Sequence, residues 1–578
     1  YPDDYTGERG YQVTGNSYTG GIVGRTFGVV HEKNGHEWIG GVDNTTELQE
    51  GETRKNWNEA GWYNSLMAQD TDYRADVAGS TDERYVYDSL SYNYARISQV
   101  TLDNISVNGY KAYAGGITAE VNHVKKTAGY GYVLMDQINA TDVQVRVLNR
   151  ENTTAVYAGG LIGAAPVYMV HDVDLDGMNV EANGEQVGGM FGYSNYRAEY
   201  AYSAFGSGED RVSYFLSAMD QVTLKNSSVQ GNAYVGGLIG QSPHWSNNHN
   251  ITAENNVVMG QGDHVGGVFG RLGNGYTTDM IVQNQQVYNS GTSKYTGGAI
   301  GYSGGYGTRR FTAIHMQVIA AGESSYVGGV FGRAEIFRDE EEHSNYVADI
   351  RVYGHDYVGG IGGSSVQVFY TDVNQPNNTF DTDSTEQIKV TGTGDYVGGL
   401  IGTIYSDVKY NTISNVTVVG SGMATGGIFG RRTGGSFNYN DVQNISVTGS
   451  GNGATSAGSA YIGDSEKSNY FTNGSCVGGL AGIDRSATTT YDRFRNINVY
   501  GNGDYVGGLI GLKSTQYMNE IDVENVTVYS EGSSYVGGIV GYIATNSNIN
   551  RVITDAITVK VTKASHVGGY AGYMTGIS

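Results

Sequence analysis

The chain has 578 residues, of which 89 are Gly, 4 are Pro and one is Cys, and its 35 Lys and Arg stand against 58 Asp and Glu for a net charge of −23. That acidity argues against a nucleic-acid partner, whose phosphates need neutralising, and against an anionic membrane surface. A single cysteine leaves no disulfide within the chain, and without a run of 18 apolar residues no membrane insertion is expected.

Tyr18-Thr19-Gly20-Gly21-Ile22-Val23-Gly24 is the first copy of a phrase that recurs along the chain: an aromatic, a small residue, two glycines, two apolar residues and a glycine. Fifteen copies run from Gly20, Gly115 and Gly159 to Gly507, Gly537 and Gly568, with a weaker sixteenth at Gly40. Nine of the fourteen spacings lie between 28 and 31 residues. A fixed period of this size marks stacked repeats. Before the motifs stand short alternating segments such as Leu102–Val107, Asn415–Val418 and Val523–Val528, bounded by Gly, Asn and Ser, which read as strands. Thirty residues are too few for a propeller blade and leave no room for a ten-residue helix. The predicted fold is therefore all-β, a parallel β-solenoid (β-helix) of about 30-residue coils with inserted loops. Coils would stack at about 4.8 Å, so that roughly nineteen of them would span about 90 Å. The apolar pair of each motif would supply core. The glycines would permit a corner with positive φ and close backbone approach.

In chain order, residues 1–42 are expected to form N-terminal solenoid coils. Residues 43–98, charged and holding two of the four Trp, read as an insertion or cap, with a short helix over Thr53–Met67. Residues 99–578 continue the solenoid, with insertions near 193–220 and 431–475. Such loops often carry binding, or else cover an open edge. The chain starts at Tyr1 without Met and stops six residues past Gly572, which reads as a piece of something longer.

The Gly-Gly-(Leu/Ile/Val)-(Ile/Phe/Val)-Gly copies resemble the GLUG motif of extracellular bacterial proteins, including the non-catalytic repeat region of IgA-peptidase-like zinc metallopeptidases. The resemblance spans about Gly20 to Gly572. It implies a bacterial protein that is secreted or attached to the cell surface, with any catalytic domain outside this chain.

The chemistry-bearing residues point the same way. Tyr326, Tyr357, Tyr396, Tyr505 and Tyr535 fill the aromatic slot and would stack as a ladder, either covering the core or forming a contact stripe for glycan or protein. Asp356 and Asp395 precede that slot in consecutive copies; they are weak calcium candidates, with turn capping as the plainer reading. Arg25, Arg271, Arg333 and Arg431 follow a motif glycine and would bridge coils or pair with the Asp column. Cys476 takes an aromatic slot as a small apolar filler. Asn104, Asn415, Asn444 and Asn525 open Asn-(Ile/Val)-(Ser/Thr)-Val, better read as left-handed corners than as glycosylation sites. His31-Glu32-Lys33-Asn34-Gly35-His36 has the wrong spacing for a zincin helix. No catalytic residue and no cofactor are expected. The reading is an extracellular structural rod or adhesion module, not an enzyme, meeting other copies of itself or a cell-surface protein or glycan. The alternatives are a self-assembling subunit of a fibre, sheath or surface layer, and an accessory region that positions substrate for a zinc metalloprotease.

Overall fold

The computed structural model describes residues 11–28, 30–33, 36–39, 42–43, 94–123, 132–148, 156–165, 167–194, 217–243, 246–273, 275–304, 307–334, 345–365, 378–380, 387–450, 475–485, 487–514, 516–544 and 547–574. They form an all-β, parallel β-solenoid that divides into two units. The first holds residues 1–258 with 268–280, the second 259–267 with 281–578.

One coil shows how the sequence folds. In the second unit Gln516–Ser530 forms a long strand, Tyr535–Gly537 a short one and Val540–Ile543 a third. The long strand is bent at Glu520 (φ 52°) and Asn525 (φ 55°). Its buried positions are Met518, Ile521, Val523, Val526, Val528 and Ser530. The step is two within a segment and three across each bent residue. A left-handed residue thus adds one outward position, and the period-two pattern resumes on the same inner face. In the first unit Tyr94–Gly109 bends in the same way at Gln99 (φ 55°) and Asn104 (φ 52°). Asn tolerates this conformation better than most residues, and Asn415, Asn444 and Asn525 adopt it with φ of 55–57°. The left-handed corner expected at the sequon asparagines is therefore present.

Equivalent residues stack in register. In the first unit Val13, Val107, Val145, Val180 and Val229 follow one another in one column. In the second unit the column is Val287, Val318, Val352, Val390, Val418, Val447, Val499, Val528 and Val559. β-Branched side chains suit such a pleated inner wall.

The opposite wall comes from the glycine motif. The successive amides of Leu509 and Ile510 both donate to the carbonyl of Ile539, at 2.8 and 3.0 Å. Those of Leu161 and Ile162 share Met190 O in the same way. That sharp corner turns two adjacent apolar residues inward together, and all four side chains are fully buried. The glycines are required for space. A Cβ on Gly508 would strike the carbonyl oxygen of Gly538 and lie 2.6 Å from Val526 Cγ1, and one on Gly511 would lie 2.6 Å from Val477 N. The positive φ expected at these glycines is not found there, since the described glycines with positive φ are Gly177, Gly275, Gly322 and Gly435. The left-handed residue is instead the preceding aromatic in several copies, as in Tyr326 (φ 60°) and Tyr357 (φ 52°).

Several expected boundaries shift. Among the described residues coils follow the motif copies, with five strands at the motif glycine in the first unit and ten in the second. Among the described residues of 1–42, 11–28 form a coil that pairs directly with 94–123 through Tyr11↔Ile105, Tyr18↔Tyr113 and Val23↔Thr118. The interruption therefore begins after Gly28 rather than at residue 43. Val30–Lys33, His36–Ile39 and Val42–Asp43 form an antiparallel sheet, which places His31 and His36 on a hairpin and not on a helix. Of the insertion expected at 431–475, Ser436–Asn438 and Asp441–Gly449 are regular solenoid strands, leaving 451–474 outside the described residues. Likewise Phe191–Ser194 and Ser217–Lys225 are strands, and 195–216 lies outside the described residues, as does the expected helix Thr53–Met67.

Candidate functional site

The motif tyrosines of the second unit form a ladder. Ring centroids are 5.1 Å apart for Tyr295–Tyr326, 4.6 Å for Tyr326–Tyr357 and 5.1 Å for Tyr357–Tyr396. Ala424 and Cys476 then occupy the column before Tyr505 and Tyr535 resume it at 5.4 Å. Cys476 is buried and unbridged, a filler whose thiol is pushed up by burial. The rings do not stand free. Arg431 places its guanidinium carbon 4.4 Å over Tyr396 and donates to its hydroxyl at 3.3 Å. Tyr542 packs edge-on against Tyr505 and Tyr535. Burial pushes Tyr357 and Tyr505 up to about 12, helped by neighbouring tyrosines and acids. Of the two roles expected for them, Arg333 and Arg431 take the bridge between coils rather than the Asp pairing: Arg431 lies over Tyr396, and Arg333 lies 5.9 Å over Tyr302 and donates to the Tyr295 hydroxyl at 3.5 Å.

Asp356 and Asp395 do stack in adjacent coils, and their carboxylates cap backbone. Asp356 Oδ1 accepts the Asp395 amide at 2.6 Å, and Asp395 Oδ1 accepts the Met423 amide at 2.9 Å. Asp263 does the same for Lys294 at 2.7 Å. Burial, with Asp395 and Glu323 nearby, raises the Asp356 carboxyl against the lowering effect of that bond and of His355. Among the described residues no group of three or more His, Cys, Asp or Glu gathers to hold a metal ion.

A second aromatic column lies in the second unit at left-handed corners between a short strand and the longer one after it, as between Ser436–Asn438 and Asp441–Gly449. Tyr410, Tyr439 and Tyr491 occupy these corners with φ of 57–60°. Their rings stack almost coplanar, 5.0 and 4.9 Å apart with interplanar angles of 6°. Glu520 and Arg551 follow in the same column, paired at 3.5 Å. One residue on, Asn411, Asn440 and Asp492 are buried. Asn440 Oδ1 accepts from Asn411 N and Nδ2 at 3.0 and 2.8 Å, and Asp492 Oδ1 accepts from Asn440 N and Nδ2 at 2.7 and 2.9 Å. The chain of amides ends on a buried acid whose Oδ2 has no hydrogen-bond partner. Burial holds this carboxyl well above the usual range; the Asn440 bonds, Arg432 and the Thr490 backbone oppose that without offsetting it. Beside it opens a groove of about 440 Å³ lined by Tyr439, Tyr491, Asp441, Arg493, Glu520, Asp522, Arg551 and Ile553 among others.

Behind this corner runs a buried ionic column. Asp484 lies between Arg432 (3.7 Å) and Lys513 (3.0 Å), all three at most 3% exposed. Arg432 also donates to Thr488 O and Thr489 Oγ1, and Lys513 to Ala487 O. Burial lowers the Lys513 ammonium, while Asp484 supports its charge. Such charges are tolerated in a core only when paired and hydrogen-bonded.

Sequence reasoning missed both the groove and the triad. The groove had a signal: Tyr410-Asn411, Tyr439-Asn440 and Tyr491-Asp492 each stand five and four residues before a corner asparagine, Asn415, Asn444 and Asn496. The 52-residue gap between Tyr439 and Tyr491 hid that alignment. Compared with known proteins, the chain matches no family model, no curated protein and no solved structure.

Proposed function

We propose that this chain is a non-enzymatic structural and adhesive module of an extracellular bacterial surface protein. The observation that carries the reading is the division of labour within each coil. The glycine corner and the valine column admit almost no variation, because a Cβ at Gly508 or Gly511 meets backbone of a neighbouring coil. The outward columns vary freely over that frame, with Tyr, Asn, Asp, Arg and Glu at equivalent corners. A constant frame with variable outward residues suits display of contacts over a long surface. The acidic balance suits an exposed, soluble surface. The GLUG-like motif supports the extracellular bacterial setting.

Light scattering with negative-stain imaging of the purified chain tests this. Particles of one chain mass, 61.8 kDa, are the expected result. Ordered filaments, tubes or sheets in dilute solution would overturn the module reading and make self-assembly the function.

A further inference from the structure

The groove beside Tyr491 gathers several groups that lack a partner. A neighbouring outward column satisfies itself: the ladder Asn415–Asn444–Asn496–Asn525 is bonded at 3.1, 3.0 and 2.7 Å. Here four groups stop short. The Tyr439–Tyr491 stack ends at Tyr491, 46% exposed, with a carboxylate rather than a ring next in the column. Among the described residues the side chains of Arg493 and Asp522, neighbours in register, make no hydrogen bond or ion pair. Asp492, 2% exposed, lines the groove and keeps an unpartnered Oδ2. A buried polar atom without a partner calls for an explanation, and a ligand is one of the few.

We propose that this groove is a binding site for a neutral pyranose within a glycan chain, its ring packing on the exposed part of Tyr491 and its hydroxyls meeting Asp522, Arg493 and Asp492. The proposal rests on the adhesive reading above and names the partner class for it. A flat apolar face beside mixed donors and acceptors matches a sugar, whose ring carries C–H groups on its faces and hydroxyls on its rim. Each hydroxyl both donates and accepts, so it can satisfy a guanidinium and a carboxylate together. Charge selects among sugars. Glu520 is paired to Arg551, and Asp441 to Arg495 at 2.7 Å. What remains is one arginine against Asp522, with Asp492 behind, which offers a uronate no net attraction. The chain charge of −23 repels polyanions further.

The test is isothermal titration of the full chain with cellohexaose, laminarihexaose, mannohexaose and chitohexaose, and with hexagalacturonate as the acidic comparison. At least one neutral oligosaccharide should bind saturably, and Tyr491→Ala should weaken it roughly tenfold or more. Asp492→Asn keeps an oxygen for Asn440 but replaces Oδ2 with an amide donor, and should change the affinity while the protein stays folded. The proposal is overturned if no neutral oligosaccharide binds, if hexagalacturonate binds better, or if both variants bind as the parent does. Failure here leaves the single-particle result, and so the module reading, untouched. Filaments in the scattering experiment would sink that reading without removing a Tyr491-dependent affinity.

Discussion

Two of the tyrosine columns in the second unit have nearly the same spacing, 4.6 Å for Tyr326–Tyr357 and 4.9 Å for Tyr439–Tyr491. They differ in what stands beside the rings. The motif column is flanked by the strand that follows each glycine corner, which lays Arg431 over Tyr396 and Tyr542 against Tyr505 and Tyr535. In the groove column Tyr439 and Tyr491 stay 48% and 46% exposed. Stacking alone therefore says little about use. A column whose edge a second strand covers belongs to the packed frame, and the column with exposed rings is the one to which the proposed glycan contact is assigned.

The most severe way to break this arrangement is at the corner that brings the covering strand round. Gly508→Ala forces a Cβ into the Gly538 carbonyl and Val526, and should cost about 3 kcal/mol. Gly532→Ala, with nothing within 4 Å of the new Cβ, is the control and should be near neutral. Urea midpoints of the two variants decide the matter, and equal midpoints would refute the packing account.

Removing one ring of the covered column comes next. Tyr357→Ala should destabilise by about 2 kcal/mol through lost burial and two lost stacks. The same column should be visible in alkaline spectrophotometric titration. Tyr357 and Tyr505 should ionise near pH 12 rather than near the ordinary value of about 10. Because the folded values are raised, the stability they lend is complete below pH 10 and is lost as pH rises towards 12.

Asp492 gives an intermediate effect with a defined sign. The folded state holds its proton more tightly than the unfolded chain does, so its favourable contribution is complete below the usual carboxylate range. That contribution is lost as pH rises through the folded pKa. Asp492→Asn should remove this dependence and raise the melting temperature at pH 7, while leaving it little changed at pH 4. A parallel fall in both proteins between pH 4 and 7 would place the titrating group elsewhere.

The smallest expected effect on stability is Tyr491→Ala, within about 0.5 kcal/mol. A loss as large as that of Tyr357→Ala would erase the distinction between the two columns.

Much of the frame was legible in the residues themselves. Val523-Glu524-Asn525-Val526-Thr527-Val528 shows its alternation and its left-handed asparagine together, and both are present in the structure. The Gly-Gly-x-x-Gly copies marked the coils and the inward apolar pair. Loop boundaries were less legible. Ser436–Asn438 is short and polar and looks like insertion, yet it is held in register by Val408↔Phe437 and Thr490↔Asn438. Strand pairing at that point depends on neighbours tens of residues away rather than on local propensity.

What the sequence by itself determined is the repeating unit. Strand and corner positions recur through short-range geometry, the left-handed tolerance of asparagine and the two-residue period of a strand, and the glycines recur because each copy meets the same neighbour in the next coil. What only the tertiary structure decided is which residues of different coils meet. Arg432, Asp484 and Lys513 form one buried column, and Tyr491, Asp492, Arg493 and Asp522 line one groove. Stacking in register brings positions 29 to 52 residues apart into contact, and insertions such as 451–474 make that distance irregular. Whether a charge is paired, or an aromatic ring covered, depends on that stacking and on nothing local to the residue.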